Sequence, residues 1–315
     1  MTQGVASGKV ILFGEHAVVY GRPAIAVPVT DVRAEVTVED ALPGMGIAIH
    51  APDIGLTVEL ASAPAGEPLS QTVRNVLARI GCDAGDVYLS LTIRSSIPVA
   101  SGLGSGTAVA TAIVRALSAH LECPLDAQTV SSIVYETEKI YHGTPSGIDN
   151  TVVAFERPVY FCRGHPPVTF GVHHPFWLAI ADTGVPSLTR AAVADVRAAW
   201  QCDQGGYERT FDQIGALADA ARRAIERGRI EALGLLMDEN HRLLRRLGVS
   251  SPELELLVGT ARHAGASGAK LSGGGRGGNM IALVAPQDAE RVRRALIDAG
   301  ARNVIVTRVG GGGRT

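Results

Sequence analysis

The sequence predicts an α+β protein of two lobes, an N-terminal α/β lobe carrying a glycine-rich loop and a C-terminal α+β lobe. Three observations predict it. At 315 residues the chain exceeds the roughly 100–200 residues of one domain. Its first part is dominated by short β-branched runs broken by Gly, Pro and Asp. Its second part alternates long helical periods with isolated apolar strands.

Taken in order, KVILF (9–13), PAIAVPV (23–29), VRAEVTV (32–38), IGLTVEL (54–60) and VYLSLTI (87–93) read as strands, because Val, Ile and Thr suit a pleated, half-buried surface. The stretch 70–80 reads as a helix. After VYLSLTI comes SSIPVASGLGSGTA and then VATAIVRALSAHLE, whose Ala and Leu favour a buried helix. A further helix is expected over 126–141 with Asp126 as its N-cap, followed by the turn-rich HGTPSGIDN and the short strand-like pieces TVVAF and PVYF.

Pro, Gly and His accumulate around 163–175, and the lobe boundary is placed there, giving lobes of 1–170 and 171–315. The second lobe opens on the strand FWLAIAD (176–182), followed by helical periodicity over 188–203, 207–227, 229–246 and 252–264. GAKLS (268–272) and NMIALVA, near 280, flank a glycine run, and a helix (287–299) and the strand NVIVTRV close the lobe. The tail GGGGRT reads as a loose terminus.

Composition narrows the function. With 46% hydrophobic and 19% charged residues the chain has enough apolar material for a core in each lobe. A formal charge of −2 provides no global field for nucleic acid or anionic lipid, so a phosphate site must be local. Cys82, Cys123, Cys162 and Cys202 stand singly, without zinc spacing, as reduced thiols do. The start MTQGVASGKVILFGEH lacks a signal-peptide pattern and no window suits a membrane span, so a cytoplasmic protein is expected.

The most telling segment is Pro98-Val-Ala-Ser-Gly-Leu-Gly-Ser-Gly-Thr107, set between a strand and a helix. Glycines at 102, 104 and 106 let backbone approach an oxyanion, and the first N–H groups of the following helix supply donors and a positive dipole end. The loop is neither a Walker A sequence nor a dinucleotide fingerprint.

This loop resembles the second of three signatures of the GHMP kinases. The first is similar to Gly8-Lys-Val-Ile-Leu-Phe-Gly-Glu-His-Ala-Val-Val-Tyr-Gly21, the third to Gly268-Ala-Lys-Leu-Ser-Gly-Gly-Gly-Arg-Gly-Gly278, and all three stand in the family's order. Within the family, the Gly-Glu-His-Ala-Val-Val-Tyr-Gly form and the segment Glu138-Lys-Ile-Tyr-His-Gly-Thr-Pro-Ser-Gly-Ile-Asp-Asn150 resemble the mevalonate kinase branch. The resemblance implies the two-lobed GHMP kinase fold, with a nucleotide-binding N-terminal lobe, a ferredoxin-like C-terminal lobe and the active site in the cleft between them. It implies ATP and Mg²⁺ as cofactors, mevalonate as the acceptor phosphorylated on its 5-hydroxyl, and a homodimer as the family expectation. No nucleic-acid or membrane partner is expected.

Carried onto this sequence, the resemblance makes Asp149, in the turn after the second helix, the group that takes or orients the hydroxyl proton. It makes Lys9 the cation beside that aspartate and the γ-phosphate. Glu138 matches the magnesium-binding glutamate, with Glu136 a solvated decoy two positions away. Glu15 and His16 match acceptor contacts, and Thr183, after FWLAIAD, lines the acceptor pocket by analogy. Pro98, Ala100, Ser101, Gly102, Leu103, Gly104, Ser105, Gly106 and Thr107 match the nucleotide loop. The glycines of the third signature, Gly274 and Gly275 among them, resemble a loop that closes over the phosphates.

The match departs in three places. A serine that serves as a magnesium ligand in the branch is Gly106 here, so Ser105 or Thr107 supplies the oxygen, water replaces it, or the metal is held more weakly; Ser105 is carried forward beside Glu138. Arg276 interrupts a run that is usually all glycine and either reaches a phosphate or points outward. Asn279 replaces a frequent cysteine. Competing readings are another GHMP kinase, for phosphomevalonate or a sugar, and a catalytically silent member that binds ligand only.

Overall fold

The computed structural model describes residues 1–98, 101–142, 145–187 and 189–310. The chain condenses into two compact units that trade segments. One comprises Met1–Gly8, the stretch beginning at Val32, and Leu103–Glu156; the other comprises Lys9–Asp31, the loop residues Ser101 and Gly102, and the chain from Arg157 onward. A single cut at 170 follows chain order, whereas these units interleave because two long strands, β1 (Thr2–Phe13) and β2 (Ala24–Asp40), contribute residues to both.

In the first unit, residues 34–40 of β2 pair antiparallel with β5 (Leu89–Ser95), which follows β3 (Ile47–Ala51), β4 (Leu56–Glu59) and helix α1 (Pro68–Ile80) in the chain. β3 lies parallel to β5 and antiparallel to β4. The parallel pair is possible because the connection through β4 and α1 is long enough for a crossover. Local chemistry sets α1. The Glu67 carboxylate accepts from the N–H groups of Leu69 and Ser70, Pro68 occupies the first turn, and Gly81 closes the helix in the left-handed region.

Three helices complete this unit: α2 (Ser105–His120), α3 (Ala127–His142) and α4 (Ile148–Phe155). Asp126 caps α3 as its sequence position predicts, its Oδ1 accepting from the Thr129 N–H at 2.7 Å. α2 buries Ala108, Ala112, Ile113, Ala116 and Leu117, and Gly4 of β1 runs so close to it that an added Cβ would lie 2.4 Å from the Ala112 carbonyl oxygen.

The second unit holds residues 24–26 of β2 against β6 (Val159–Phe161), with β7 (Val168–Thr169) beyond it. Its larger part is a four-stranded antiparallel sheet of β8 (Phe176–Asp182), β9 (Gly268–Ser272), β10 (Asn279–Val284) and β11 (Asn303–Val309). The spatial order is β11-β8-β10-β9. Helices α5 (Thr189–Cys202), α6 (Gln204–Glu226), α7 (Glu231–Arg246) and α8 (Pro252–His263) intervene between β8 and β9, and α9 (Ala289–Asp298) between β10 and β11. That order is the split βαβ arrangement of a ferredoxin-like lobe. Phe211, Ile214, Leu243, Leu244, Leu254, Leu257, Met280 and Leu296 fill one core with the sheet's Ala179, Ala181 and Leu271. Each fully buried Leu, Ile, Phe or Met contributes about 1.5–3 kcal/mol over the exposed state.

β9 is an edge strand, and side chains close its open edge. The Asp238 Oδ1 of α7 accepts from the Ala269 N–H at 2.9 Å, and the His241 Nδ1, one turn on, accepts from the Leu271 N–H at 3.3 Å. Arg262 of α8 donates to the Ala269 carbonyl at 2.7 Å. Alternate residues along a strand turn their N–H groups to the same side, so two residues three apart on a helix serve two residues two apart on β9. This removes the unpaired edge that invites strand addition.

Three local expectations give way. TVVAF is not a strand but the body of α4, so Asp149 lies in a helix's first turn rather than in a turn. Val and Thr prefer strands only weakly, and the packing of α4 on α3, pinned by the Asn150 amide donating to the Ser131 carbonyl and hydroxyl, overrides that preference. The runs 23–29 and 32–38 form one strand, and Pro28 lies outside the segments of it that pair with β5 and β6. β3 is a strand beyond those expected: its two isoleucines alternate as strand residues do, but the run is only five residues long. Residues 311–315 of the tail lie outside the described residues.

Candidate active site

The first unit brings together the start of α2 and the end of α3. Gly104 is the N-cap of α2 in the left-handed region, with no side chain capping the first turn. Leu103 beside it is buried in the core and anchors the loop, while Gly106 is exposed. Thr107, 3% exposed, donates its hydroxyl to Glu138 Oε1 at 2.7 Å, and Glu138 is itself 4% exposed. A carboxylate and a hydroxyl are thus placed side by side beneath the glycine turn. Between the oxygens that Gly106 left open, Thr107 is the one the fold joins to Glu138; Ser105 stands half-exposed in the first turn of α2. Glu136 is exposed and ion-paired with Lys139 at 2.7 Å. Asp149 stands half-buried in the first turn of α4, where the helix dipole favours a carboxylate.

Among the described residues no group of three or more His, Cys, Asp or Glu is gathered for a metal. Magnesium retains waters and takes phosphate oxygens, so a site of one or two protein oxygens is of the kind it uses. The hard oxygen pair of Glu138 and Thr107 fits that ion.

The second unit carries Lys9, Glu15, His16 and Thr183. Lys9 is buried on β1. After β1 the chain turns tightly at Gly14, where φ is +94° and an added Cβ would lie 2.4 Å from the Pro23 carbonyl oxygen, so only glycine fits. His16 follows at φ +61°, a region that non-glycine residues occupy only when their surroundings enforce it. Its Nε2 donates to the Gly274 carbonyl at 3.0 Å. Burial, the leading cause, lowers the His16 pKa, so the ring is neutral with Nδ1 as its acceptor atom. Thr183 donates its hydroxyl to the Gly278 carbonyl at 2.9 Å.

Glu15 is engaged within the protein. Its carboxylate is closed from solvent between the Lys270 ammonium, with which it forms a buried ion pair, and the Asn240 amide, which donates to Oε2 at 3.0 Å. Lys270 is fully buried and also donates to the Leu271 carbonyl at 2.7 Å. Burial pushes the Lys270 pKa down and Glu15 opposes it. Sequence reasoning passed over Lys270 and Asn240; the available signal was a lysine amid small and apolar residues of a central-looking strand, a position that needs a buried carboxylate.

In the third signature, Gly275 is left-handed and an added Cβ would lie 2.0 Å from the Val249 carbonyl oxygen. Arg276 turns away from the loop and pairs with Asp195 of α5. Asn279 donates its amide to the Ser101 carbonyl, fixing the loop residue that belongs to this unit. Pro98 is half-buried, Ser101 is buried, Gly102 is exposed and left-handed, and Ala100 lies outside the described residues. Lys9 and Asp149 fall in different units.

Comparison with known proteins adds the following. Residues 67–157 match the family model for the GHMP kinases N terminal domain and residues 221–302 that for the GHMP kinases C terminal. The mevalonate kinase of Pyrococcus abyssi is 37% identical over 95% of this chain and 93% of its own length. That of Aeropyrum pernix is 36% identical over 94% of this chain and 93% of its own. Among solved structures, L. major mevalonate kinase in complex with R-mevalonate superposes with a TM-score of 0.84 at 28% identity, covering 99% of this chain and 97% of that one. Streptococcus pneumoniae phosphomevalonate kinase in complex with phosphomevalonate and AMPPNP shares the fold, with a TM-score of 0.80 at 18% identity over 98% of this chain and 100% of that one. Among the described residues no helix is long and apolar enough to cross a membrane.

Proposed function

Since the chain belongs to the mevalonate kinases of the GHMP kinase family, we propose that it transfers the γ-phosphoryl of ATP to the 5-hydroxyl of (R)-mevalonate. The observation that carries the site is the Thr107–Glu138 hydrogen bond beneath the glycine turn, which sets a metal-suited carboxylate where a nucleotide's phosphates would meet the start of α2. The acceptor is supported by relatives that match nearly end to end.

Phosphoryl transfer needs little covalent chemistry from the protein; it needs an oriented alcohol and positive charge where oxygens gather negative charge. Asp149 accepts the hydroxyl proton as the alcohol attacks. Lys9 supplies the positive charge that steadies the transferring group. The first-turn N–H groups of α2 receive phosphate oxygens. A magnesium ion held at Glu138, with Thr107 orienting the carboxylate, supplies charge neutralisation for those oxygens when bound. His16 and Thr183 bind the acceptor, with His16 Nδ1 accepting a hydrogen bond from one of its hydroxyls.

A phosphomevalonate acceptor calls for additional positive charge near His16, and Lys270 and Arg276 are each paired with a carboxylate there. That favours an acceptor without phosphate. The test is steady-state ADP release by the purified chain: turnover with mevalonate is expected, and turnover with phosphomevalonate or a sugar in its place overturns the assignment.

A further inference from the structure

Arg276 sits midway between the two glycines whose carbonyls hold the acceptor candidates. On one side the Gly274 carbonyl accepts from His16 Nε2 at 3.0 Å. On the other the Gly278 carbonyl accepts from both the N–H and the hydroxyl of Thr183, each at 2.9 Å. The Gly275 carbonyl accepts from the Ser187 hydroxyl at 3.1 Å. Three carbonyls of one loop therefore fix three polar residues from two separate parts of the chain.

Glycine does not restrict its own φ and ψ, so a glycine loop cannot by itself set where its carbonyls point. Something else has to hold it, and Arg276 does so on three sides. Its N–H donates to the Val249 carbonyl at 2.8 Å, its Nε to the Gly248 carbonyl at 3.3 Å, and its Nη1 is ion-paired with Asp195. The first two anchors lie in the connection from α7 to α8 and the third on α5, so the loop is strapped to both. The backbone of Arg276 is left-handed, φ +55°, a conformation in which glycine would be relaxed and arginine is not. A residue held there against its preference is one whose surroundings over-determine it.

We propose that Arg276 is a positioning residue for the acceptor: it fixes the third glycine loop so that Gly274 and Gly278 hold His16 and Thr183 where the acceptor binds. This rests on the functional reading above. The guanidinium is committed to Asp195 and acts through the loop. Its charge also adds, as the smallest contribution, to the burial that lowers the His16 pKa, which leaves Nδ1 as an acceptor.

The experiment compares wild type, Arg276→Gly, Arg276→Lys and Asp195→Ala as purified full-length proteins. Two readouts are taken: KM and kcat for mevalonate and for ATP, and the His16 imidazole signal in ¹H–¹⁵N NMR without substrates, assigned by its loss in His16→Asn. In Arg276→Gly the mevalonate KM rises about five- to twentyfold while kcat and the ATP KM stay within about threefold; Arg276→Lys, able to keep the Asp195 pair, recovers most of it. The His16 signal moves in Arg276→Gly and Asp195→Ala and is retained in Arg276→Lys. Asp195→Ala also carries the test should Arg276→Gly not fold. A mevalonate KM within about twofold of wild type with an unmoved His16 signal overturns the proposal. So does a loss in kcat and both KM values together that tracks the thermal midpoint. Absence of mevalonate turnover in the wild type instead refutes the functional reading, and the NMR arm still judges Arg276.

Discussion

Glu15 and Lys270 form an ion pair closed to solvent, with the Asn240 amide on the second carboxylate oxygen and the Leu271 carbonyl on the ammonium. It joins the turn that presents His16 to an edge strand and to α7. A pair of this kind returns little net stability over an apolar replacement, because both charges have lost their water. Removing one partner is different. Lys270→Met leaves a buried carboxylate without its counter-charge and is expected to cost about 3–5 kcal/mol, while Glu15→Gln with Lys270→Met costs clearly less than the sum of the single changes. Urea unfolding of the four proteins measures this, and additive costs would refute the coupling.

The Thr107–Glu138 hydrogen bond predicts how Gly106 is compensated. Thr107→Val removes the donor and is expected to raise the magnesium concentration for half-maximal rate by about 10–100-fold, the usual effect of losing a group that orients a metal ligand. Thr107→Ser retains the hydroxyl and stays near wild type. Gly106→Ser changes the requirement little, since an oxygen already serves Glu138. A large gain from Gly106→Ser would mean that the missing serine, not Thr107, limits the metal.

His241 makes stability depend on pH. Burial lowers its pKa from 6.5 to about 4, against the pull of Glu255 and with the charges of Arg262, Lys270 and Arg245 lowering it further. Its Nε2 lies 3.2 Å from Glu255 Oε1 in an alignment that makes no hydrogen bond, and the same Oε1 accepts from Ser250. Because the folded-state pKa lies below the unfolded one, the contribution is fully present above pH 6.5 and is lost as pH falls towards 4. The loss amounts to at most about 3 kcal/mol, and His16 adds to it in the same direction. The urea midpoint should fall between pH 7 and pH 4.5, and His241→Asn should flatten that fall. An unchanged slope in the variant would show that other groups carry the effect.

Much of this was legible in the sequence wherever local chemistry decides. Strands such as FWLAIAD and GAKLS and the Asp126 cap follow from residue types alone. The second glycine signature marked the loop, and the separate segment Glu138–Asn150 marked Glu138 and Asp149 as candidates. What escaped was set by partners distant in sequence. TVVAF is helical because α4 packs on α3 through Asn150, and no window of eight residues contains that contact. Lys270 could be seen as an odd lysine, but its partner lies 255 positions away. The outward turn of Arg276 depends on Asp195, 81 positions earlier. The closure of β9 by Asp238 and His241 likewise needs a helix placed by the whole core.

We propose that Asp149 receives the proton of the alcohol and that Lys9 aids the phosphoryl transfer. The most direct measurement is kcat for ADP formation from ATP and mevalonate by wild type, Asp149→Asn and Lys9→Met, with the product identified by ³¹P NMR. The expected outcome is 5-phosphomevalonate from the wild type and a kcat about 10²–10⁴-fold lower in Asp149→Asn, with the fold and ATP affinity retained. An Asp149→Asn enzyme within about tenfold of wild type would contradict it.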